Sequence, residues 1–184
     1  MDVDLHALPG CSIEGVAVVE LLDADEAELQ VFFERSPGYF LAVNGEPATP
    51  TEAREELQGQ LPAGWCCSRM YWLGYRDSEH QLVGVVNIAA DLLATGVWHI
   101  GLLLVDTRLH GSGLAQRLHA DLEAWAVRQG AAWLRLTVVV GNRKAERFWP
   151  KLGYVPVRTR EGIRMAAAQY GVDSGQGAGG WAGG

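Results

Sequence analysis

Apolar residues along the chain fall into two patterns, consecutive or alternating runs rich in valine and stretches in which they recur every three or four positions. The first pattern predicts strands and the second predicts amphipathic helices. The predicted strands cover residues 15–22, 70–76, 81–90, 97–105, 133–140 and a final hairpin over 155–168. The predicted helices cover residues 23–36, 49–59, 113–128 and a stretch that begins at Asn142. The order along the chain is therefore β-α-α-β-β-β-α-β-α-β-β.

The connections between these elements predict how the strands pair. The polar turn DSEH joins the second and third strands into an antiparallel pair, while SPGYF and NGEPATP, between the first two helices, are rich in turn formers. Strands 97–105 and 133–140 are joined by a helix, and such right-handed crossovers make parallel pairs. Gly101 interrupts an otherwise buried strand and predicts either a bulge or a place where another group approaches the backbone closely. The sequence thus predicts an α/β fold with a mixed, mostly antiparallel sheet.

Composition and charge are those of one globular domain. The chain has 184 residues, 48% of them hydrophobic, and a formal net charge of −7 without the basic run typical of nucleic-acid binding proteins. We expect a single domain over residues 1–168 and a flexible, glycine-rich tail over residues 169–184. The N-terminus lacks the apolar stretch of a signal peptide, and no run reaches membrane-spanning length. A cytoplasmic location with no membrane or nucleic-acid partner is therefore expected.

Cysteine and histidine positions do not predict a metal site. Cys11, Cys66 and Cys67 are odd in number for a chain that is not small, which argues against a disulfide framework. Adjacent Cys66 and Cys67 also lack the spacing of zinc ligands. His110 and His119 have no metal-ligand spacing and are predicted to be solvated. No metal is expected.

The stretch RLHGSGLA over residues 108–115 stands where an anion can bind. Gly111 and Gly113 precede a helix whose first N–H groups are unpaired and carry partial positive charge, and glycines let a phosphate approach such groups. The stretch lacks the P-loop pattern, and Gln116 stands where a dinucleotide fingerprint has its third glycine. On this stretch alone an R/Q-x-x-G-x-G/A phosphate loop, a divergent dinucleotide site and a turn that binds nothing remain open.

Two segments resemble the GNAT superfamily of acyl-CoA N-acyltransferases. The segment over residues 108–113 matches the family loop R/Q-x-x-G-x-G/A, and GNRKAERFWPKLGY is similar to the family pattern N-x-x-A-x-x-(F/Y)-(Y/F)-x-x-x-G-(F/Y). The matching residues of the second segment are Asn142, Ala145, Phe148, Gly153 and Tyr154. The order of elements from Val16 to about Ala168 also agrees with the family. The resemblance implies a mixed sheet splayed at a central parallel pair and flanked by helices.

The same resemblance implies that acetyl-CoA is the co-substrate. Its pyrophosphate would be held by backbone N–H groups of the loop and of the helix start, and its pantetheine arm would lie between the strands ending at Val105 and Val140. One N–H of the first of these strands would polarise the thioester carbonyl, an oxyanion-type contact, and Asn142 would contact the cofactor. The implied cofactor-binding residues are Leu103, Leu104, Val105, Arg108, Leu109, His110, Gly111, Ser112, Gly113, Leu114, Ala115, Asn142, Ala145, Phe148 and Trp149.

Proton transfer is less well defined by these segments. The acceptor ammonium must lose a proton before it attacks, but the strand before the loop lacks the glutamate that many family members carry there. His99 is its only titratable residue and the candidate base, with a purely structural histidine as the alternative; Asp91 and Glu20 are further candidates. Trp149 stands where the family often has a tyrosine acid, and an indole is not a useful acid. Tyr154 is the candidate acid.

The resemblance therefore implies an N-acetyltransferase that transfers an acetyl group from acetyl-CoA to a primary amine of a small molecule or peptide by direct attack. A non-catalytic acyl-CoA-binding or regulatory domain of the same fold is the main alternative, and a nucleotide-binding oxidoreductase is the third. Residues 37–65 are rich in aromatic side chains, which either shape an acceptor pocket or fill the core. The chain is expected to be a monomer or a homodimer.

Overall fold

A seven-stranded sheet organises residues 7–170, the part of the chain that the computed structural model describes. Its strands lie in the spatial order β1-β2-β3-β4-β5-β7-β6, and every neighbouring pair is antiparallel except β4 and β5. The strands are β1 Ala17–Glu20, β2 Arg69–Arg76, β3 Leu82–Ala90, β4 Val97–Val105, β5 Trp133–Val139, β6 Val155–Arg160 and β7 Ile163–Gln169. The helices are α1 Glu26–Glu34, α2 Pro37–Asn44, α3 Glu52–Leu57, α4 Leu114–Arg128 and α5 Arg143–Lys151. The predicted mixed sheet with one central parallel pair is confirmed.

Helix α2 occupies a stretch that the sequence predicted to be turns. Pro37 is at its start, where the missing N–H costs nothing and the fixed φ suits a helix. Gly45 ends it with a φ of 78°. Phe40 is 2% exposed and packs edge-on against Phe33 of α1, with ring centroids 5.1 Å apart. The turn-forming residues thus mark the two ends of a helix that is stabilised by tertiary packing.

The helices divide the core into two parts. Helices α4 and α5 cover one face of the sheet, where Trp125 of α4 meets Tyr71 and Trp98 in edge-to-face contacts. Helices α1, α2 and α3 contribute to a second cluster on the opposite face, in which Phe32 and Phe33 pack with residues of β2, β3 and β4. We refer below to these faces as the α4 face and the α1 face.

Gly101 is the extra residue of a bulge in the middle of β4, as predicted. Asn87 of β3 pairs with Leu102, and the next residue of β3 pairs with Ile100, so that Gly101 has no partner. A Cβ atom at Gly101 would collide with the Asn87 Oδ1 atom, which explains the glycine. The bulge also reverses the alternation of side chains, because Ile100 belongs to the core of the α4 face and Leu102 to that of the α1 face.

Strands β4 and β5 part directly after this bulge. Their parallel pairing covers only residues 97–100 against 133–136. Beyond it, residues 102–105 of β4 pair with β3 alone, and residues 137–139 of β5 pair with β7 alone. The two strands therefore open a cleft inside the sheet, which is the splayed arrangement that the family resemblance implied.

Tyr170 attaches the end of β7 to α4. Its N–H donates to the carbonyl oxygen of Ala132 over 2.8 Å, and its hydroxyl donates to the Glu123 carboxylate. Strand β7 itself includes Gln169, so the sheet and its contacts extend two residues beyond the predicted domain boundary at 168. The predicted flexible tail otherwise falls on residues 171–184, which lie outside the described residues.

Replacing Tyr170 with phenylalanine should destabilise the domain while keeping its ring in place. A hydrogen bond to a charged group contributes about 1.5–3 kcal/mol, and each kcal/mol corresponds to roughly 2–4 °C in Tm for a domain of this size. A double-mutant cycle with Glu123→Gln measures the pair, and a coupling energy near zero would contradict the assignment.

Candidate active site

The loop between β4 and α4 contains backbone N–H groups without a hydrogen-bond acceptor in the described residues. Gly111 and Gly113 have φ angles of 80° and 79°, a conformation that glycine adopts at little cost. Within residues 7–170, the N–H groups of Gly111, Gly113, Ala115 and Gln116 donate no hydrogen bond. They stand at the N-terminus of a 15-residue helix, whose dipole adds positive potential. The arrangement therefore suits an anion such as a phosphate.

The other residues of this loop hold its shape. Asp106, which is 3% exposed, accepts hydrogen bonds from the N–H and from the guanidinium group of Arg108. These bonds hold the pKa of the Asp106 carboxyl below its usual value. The N–H groups of Leu109, His110 and Ser112 all donate to carbonyl oxygens within the turn. Asp106 was not anticipated from the sequence, although a carboxylate directly after a buried strand and two residues before an arginine is a usable signal.

His110 connects the end of β4 to the start of α5. Its Nε2 atom lies 3.1 Å from the carbonyl oxygen of Val105, and its Nδ1 atom lies 3.4 Å from Lys144 Nζ. A carbonyl only accepts, so Nε2 carries the hydrogen and Nδ1 accepts from Lys144. Because α5 follows β5, this contact spans the open end of the cleft. His110 is exposed, as predicted.

Other predicted cofactor residues belong to β4, to the start of α4 and to α5. Leu103 packs with the core of the α4 face, whereas Leu104 belongs to that of the α1 face. Asn142 is the N-cap of α5, and its Oδ1 accepts the N–H of Ala145 over 3.3 Å, so its predicted capping position is confirmed. The remaining predicted residues around the α4 core are Leu114 and Ala115 at the start of α4 and Ala145, Phe148 and Trp149 on α5.

His119 is buried, so the prediction that it is solvated was wrong. It is 2% exposed, and its Nε2 atom lies 2.9 Å from the hydroxyl oxygen of Tyr154. Its ring packs against Trp149 with centroids 5.7 Å apart. Burial lowers the pKa of His119, which keeps the imidazole neutral. The polar residue is accommodated in the apolar stripe of α4 because Tyr154 supplies a partner 35 positions away.

Tyr154, the candidate acid, lies in the same enclosed cluster. It is 1% exposed, and burial raises the pKa of its hydroxyl. Gly153 precedes it with a φ of 89°, and the Tyr154 N–H donates to the carbonyl oxygen of Trp149 over 3.3 Å, which ends the helix. The hydroxyl therefore faces His119 inside the core.

Each of the three candidate bases interacts with other residues of the protein. His99 pairs with Arg135 across the parallel strands, and burial together with the Arg135 charge lowers the pKa of His99 to about 4. Such a group is a poor match for proton removal near neutral pH. Asp91 accepts two hydrogen bonds, of 2.7 and 2.8 Å, from neighbouring turns. Glu20 forms an ion pair of 2.9 Å with Arg69.

Two adjoining cavities on the α1 face meet the bulge of β4. The smaller cavity, about 100 Å³, is bounded by Gly101 and Leu102 and by three aromatic side chains of α1 and α2, namely Phe33, Tyr39 and Phe40. The larger is a groove of about 610 Å³ that runs between β1, β2 and α3. Glu56 and Asn87 line both cavities. Part of the aromatic segment 37–65 thus shapes a pocket, while Trp65 is 46% exposed.

Sequence reasoning did not single out Glu56. It is one of three glutamates on α3, with Glu52 and Glu55, and nothing in their spacing distinguishes it. Although Glu56 is an exposed residue, partial desolvation beside the cavities raises the pKa of its carboxyl, and repulsion from Glu52 and Glu55 adds to this effect. Tyr39 is close enough for Glu56 to affect it, because burial and repulsion from Glu56 and Glu52 raise the pKa of Tyr39 to about 12.

The described part of the chain holds neither a metal-ligand cluster nor a membrane-spanning helix. Residues 7–170 contain no group of three His, Cys, Asp or Glu side chains placed to hold a metal ion. In the same range no helix has the length and apolar character needed to cross a bilayer. Cys11, Cys66 and Cys67 are all free thiols.

Comparison with known proteins identifies a family and a fold. The model of the acetyltransferase (GNAT) family matches residues 25–154. An acetyltransferase from Thermus thermophilus is 21% identical, with a TM-score of 0.68 over 84% of this chain and 97% of that one. The GNAT domain of S. lividans PAT is 16% identical, with a TM-score of 0.67 over 84% and 90%.

A third similar structure was solved with a ligand. The PaiA N-acetyltransferase from Thermoplasma acidophilum, in complex with coenzyme A, is 13% identical, with a TM-score of 0.63 over 84% of this chain and 99% of that one. At these low sequence identities, the structural similarity shows a shared fold alone. No curated protein sequence matches the chain.

The neutral His99 should make the stability of the domain depend on pH. In the unfolded chain this histidine binds a proton below its ordinary pKa of 6.5, whereas in the folded chain its pKa is about 4. The contribution of His99 to the free energy of unfolding is therefore fully present above pH 6.5 and is lost as the pH falls toward 4. Between these values the free energy of unfolding changes by up to ~1.4 kcal/mol per pH unit for one proton.

Urea unfolding at pH 7, 6 and 5 measures this slope. His99→Asn should make it shallower, because the variant has no imidazole to protonate at this position. Replacement of the exposed His80 by asparagine controls for the loss of an imidazole as such. Equal slopes in wild type and His99→Asn would contradict the assignment.

Proposed function

Because this chain belongs to the acetyltransferase (GNAT) family, we propose that it transfers an acetyl group from acetyl-CoA to a primary amine of a small molecule or peptide. The observation that carries the proposal is the coincidence of two features, the four free N–H groups at the start of α4 and the cleft that opens after Gly101. The similar fold of an N-acetyltransferase solved with coenzyme A supports the same class of ligand here.

The residues present fit the pyrophosphate of such a ligand. A Cβ atom at Gly111 would meet no atom within 4 Å, and one at Gly113 would meet only the Gln116 side chain at 4.0 Å, so the space in front of the loop is open. The N–H groups of Gly111, Gly113, Ala115 and Gln116 would hold the phosphate oxygens. Arg108 would act mainly through its bonds with Asp106, which stiffen the loop.

The cleft would take the pantetheine arm. Residues 102–105 of β4 pair only with β3, and on the cleft side the Val105 carbonyl is bonded to His110. An N–H of Leu103–Val105 would donate to the carbonyl oxygen of the acyl group, where negative charge develops during transfer. Bound acetyl-CoA supplies the thioester that the amine cleaves. Trp149 would contribute packing near the cofactor rather than a proton.

The alternative is a non-catalytic acyl-CoA-binding domain of the same fold, and specific observations favour it. Tyr154 is 1% exposed with its hydroxyl on His119, and the pKa of His99 is about 4. A domain that lacked both an acid and a base would bind acyl-CoA without turning it over. A cytoplasmic location and a monomeric or homodimeric state remain predictions of the sequence.

Two measurements test the function. Isothermal titration with acetyl-CoA, NADH and ATP should give binding for acetyl-CoA alone. Release of free coenzyme A thiol should follow when a panel of primary amines is added. Tight acetyl-CoA binding without thiol release for any amine supports the binding domain, and the absence of acetyl-CoA binding overturns both candidate functions.

Gly113→Val should weaken acetyl-CoA binding at least tenfold, or about 1.4 kcal/mol, because a β-branched side chain intrudes on the free N–H groups. The matched control is Gly130→Val at the other end of α4, where the glycine also has a positive φ of 100°. Both variants should lower Tm through backbone strain. Only Gly113→Val should lose affinity, and equal affinities in the two folded variants would contradict the phosphate site.

A further inference from the structure

We propose that Glu56 and Asn87 bind the acceptor as a primary ammonium ion beside Gly101, and that the Glu56 carboxylate removes its proton. The inference rests on the proposed function and names its acceptor class, a primary amine carried on an apolar chain. It assigns the base to helix α3, away from the strand that carries His99.

The position of the two side chains supports this assignment. Glu56 and Asn87 are the residues at which the small cavity and the groove meet. Asn87 donates through Nδ2 to the carbonyl oxygen of Tyr71 over 3.2 Å, which leaves its Oδ1 as an acceptor on the side of Gly101. Gly101 is exposed on this side although it lies in a central strand. An ammonium held there would stand next to the point at which β4 and β5 part.

The Glu56 side chain differs from the neighbouring carboxylates in having no partner. Glu52 accepts the N–H of Thr49 over 3.0 Å, and Glu55 accepts the Thr51 hydroxyl over 2.6 Å. Within the described residues the Glu56 carboxylate accepts no hydrogen bond and forms no ion pair. A carboxylate at a cavity junction with its hydrogen-bonding capacity unused is suited to a cationic ligand.

The local electrostatics favour a cation and proton removal. Glu52, Glu55 and Tyr39 lie near Glu56, and partial desolvation with repulsion from the other two glutamates raises its pKa. A carboxylate with a raised pKa is a stronger base. Tyr39, whose pKa is raised to about 12, stays protonated near neutral pH.

The proton and electron transfers of the proposed step balance. Glu56 takes one proton from R–NH₃⁺, and the freed lone pair of the nitrogen forms a bond to the acyl carbon. The carbon–sulfur bond breaks and its electron pair leaves with sulfur. The nitrogen gives a second proton to that sulfur, so the products are the amide R–NH–COCH₃ and the coenzyme A thiol. Glu56 then returns its proton to solvent.

The lining of the groove indicates which kind of chain the ammonium group of the acceptor would carry. Apolar side chains form about half of its lining, among them Leu57, Leu61, Met70 and Trp72, and Glu20 and Asp23 add two carboxylates. Burial of an alkyl or aryl chain against them is favourable by about 25 cal/mol per Å² of apolar surface. The smaller cavity, about 100 Å³, has room for little more than the ammonium end. A primary amine with an extended apolar chain therefore fits the two cavities together.

Glu56→Gln tests the proposal with n-hexylamine as the probe, and its control is Glu46→Gln at an exposed glutamate that lines neither cavity. Isothermal titration of the protein without acetyl-CoA should show n-hexylamine binding in wild type and Glu46→Gln, and at least tenfold weaker binding in Glu56→Gln. Thiol release from acetyl-CoA with n-hexylamine should fall 10²–10⁴-fold in kcat for Glu56→Gln, as expected for loss of a general base. Glu56→Asp, which keeps the charge, should restore more of the binding than of kcat.

Thermal unfolding separates this role from a structural one. The folded state raises the pKa of Glu56, so its ionisation near neutral pH opposes folding, and Glu56→Gln should keep or raise Tm. Equal n-hexylamine affinity and equal kcat in wild type and Glu56→Gln overturn the proposal, as does the absence of n-hexylamine binding in wild type. If the wild type binds n-hexylamine through Glu56 but releases no thiol with any amine, the proposed function and the role of Glu56 as a base both fail, and only the ammonium site stands.

Discussion

The geometry of the site depends on the end of the pairing between β4 and β5 after Ile100. Two strands that stay in a sheet but lose each other's hydrogen bonds expose backbone groups in its interior, which is costly unless something else binds them. Here each strand keeps its outer neighbour, β3 or β7. The pairing ends next to Gly101, where a Cβ atom would collide with the Asn87 Oδ1 atom.

The same bulge connects the two halves of the site. By reversing the alternation along β4 it places Ile100 in one core and Leu102 in the other. The cleft continues toward the free N–H groups before α4, whereas the smaller cavity of the α1 face ends at Gly101 from the opposite side. An acyl donor and an amine can thus approach one point of the backbone from two directions.

Desolvation makes two of the histidines weak bases. His99 and His119 are both neutral near pH 7 because desolvation lowers their pKa. His119 instead takes part in a buried polar contact with Tyr154 that joins α4 to the end of α5. At the junction of the two cavities the carboxylate without a partner among the described residues is Glu56, where desolvation raises the pKa and so acts in the useful direction, by making a carboxylate more basic.

Local patterns in the sequence determined the order of the strands, the parallel pair, the bulge at Gly101 and the glycine loop before α4. Each depends on residues close together in the chain, through side-chain periodicity or through the backbone freedom of glycine. Three outcomes were decided by the tertiary structure alone. The turn-forming residues stand at the two ends of helix α2, His119 is buried, and Glu56 and Asn87 line the same two cavities. These outcomes depend on packing between distant segments, as between His119 and Tyr154, 35 positions apart. Local sequence patterns do not predict such a contact, because the fold determines which distant side chains form a hydrogen bond or repel each other.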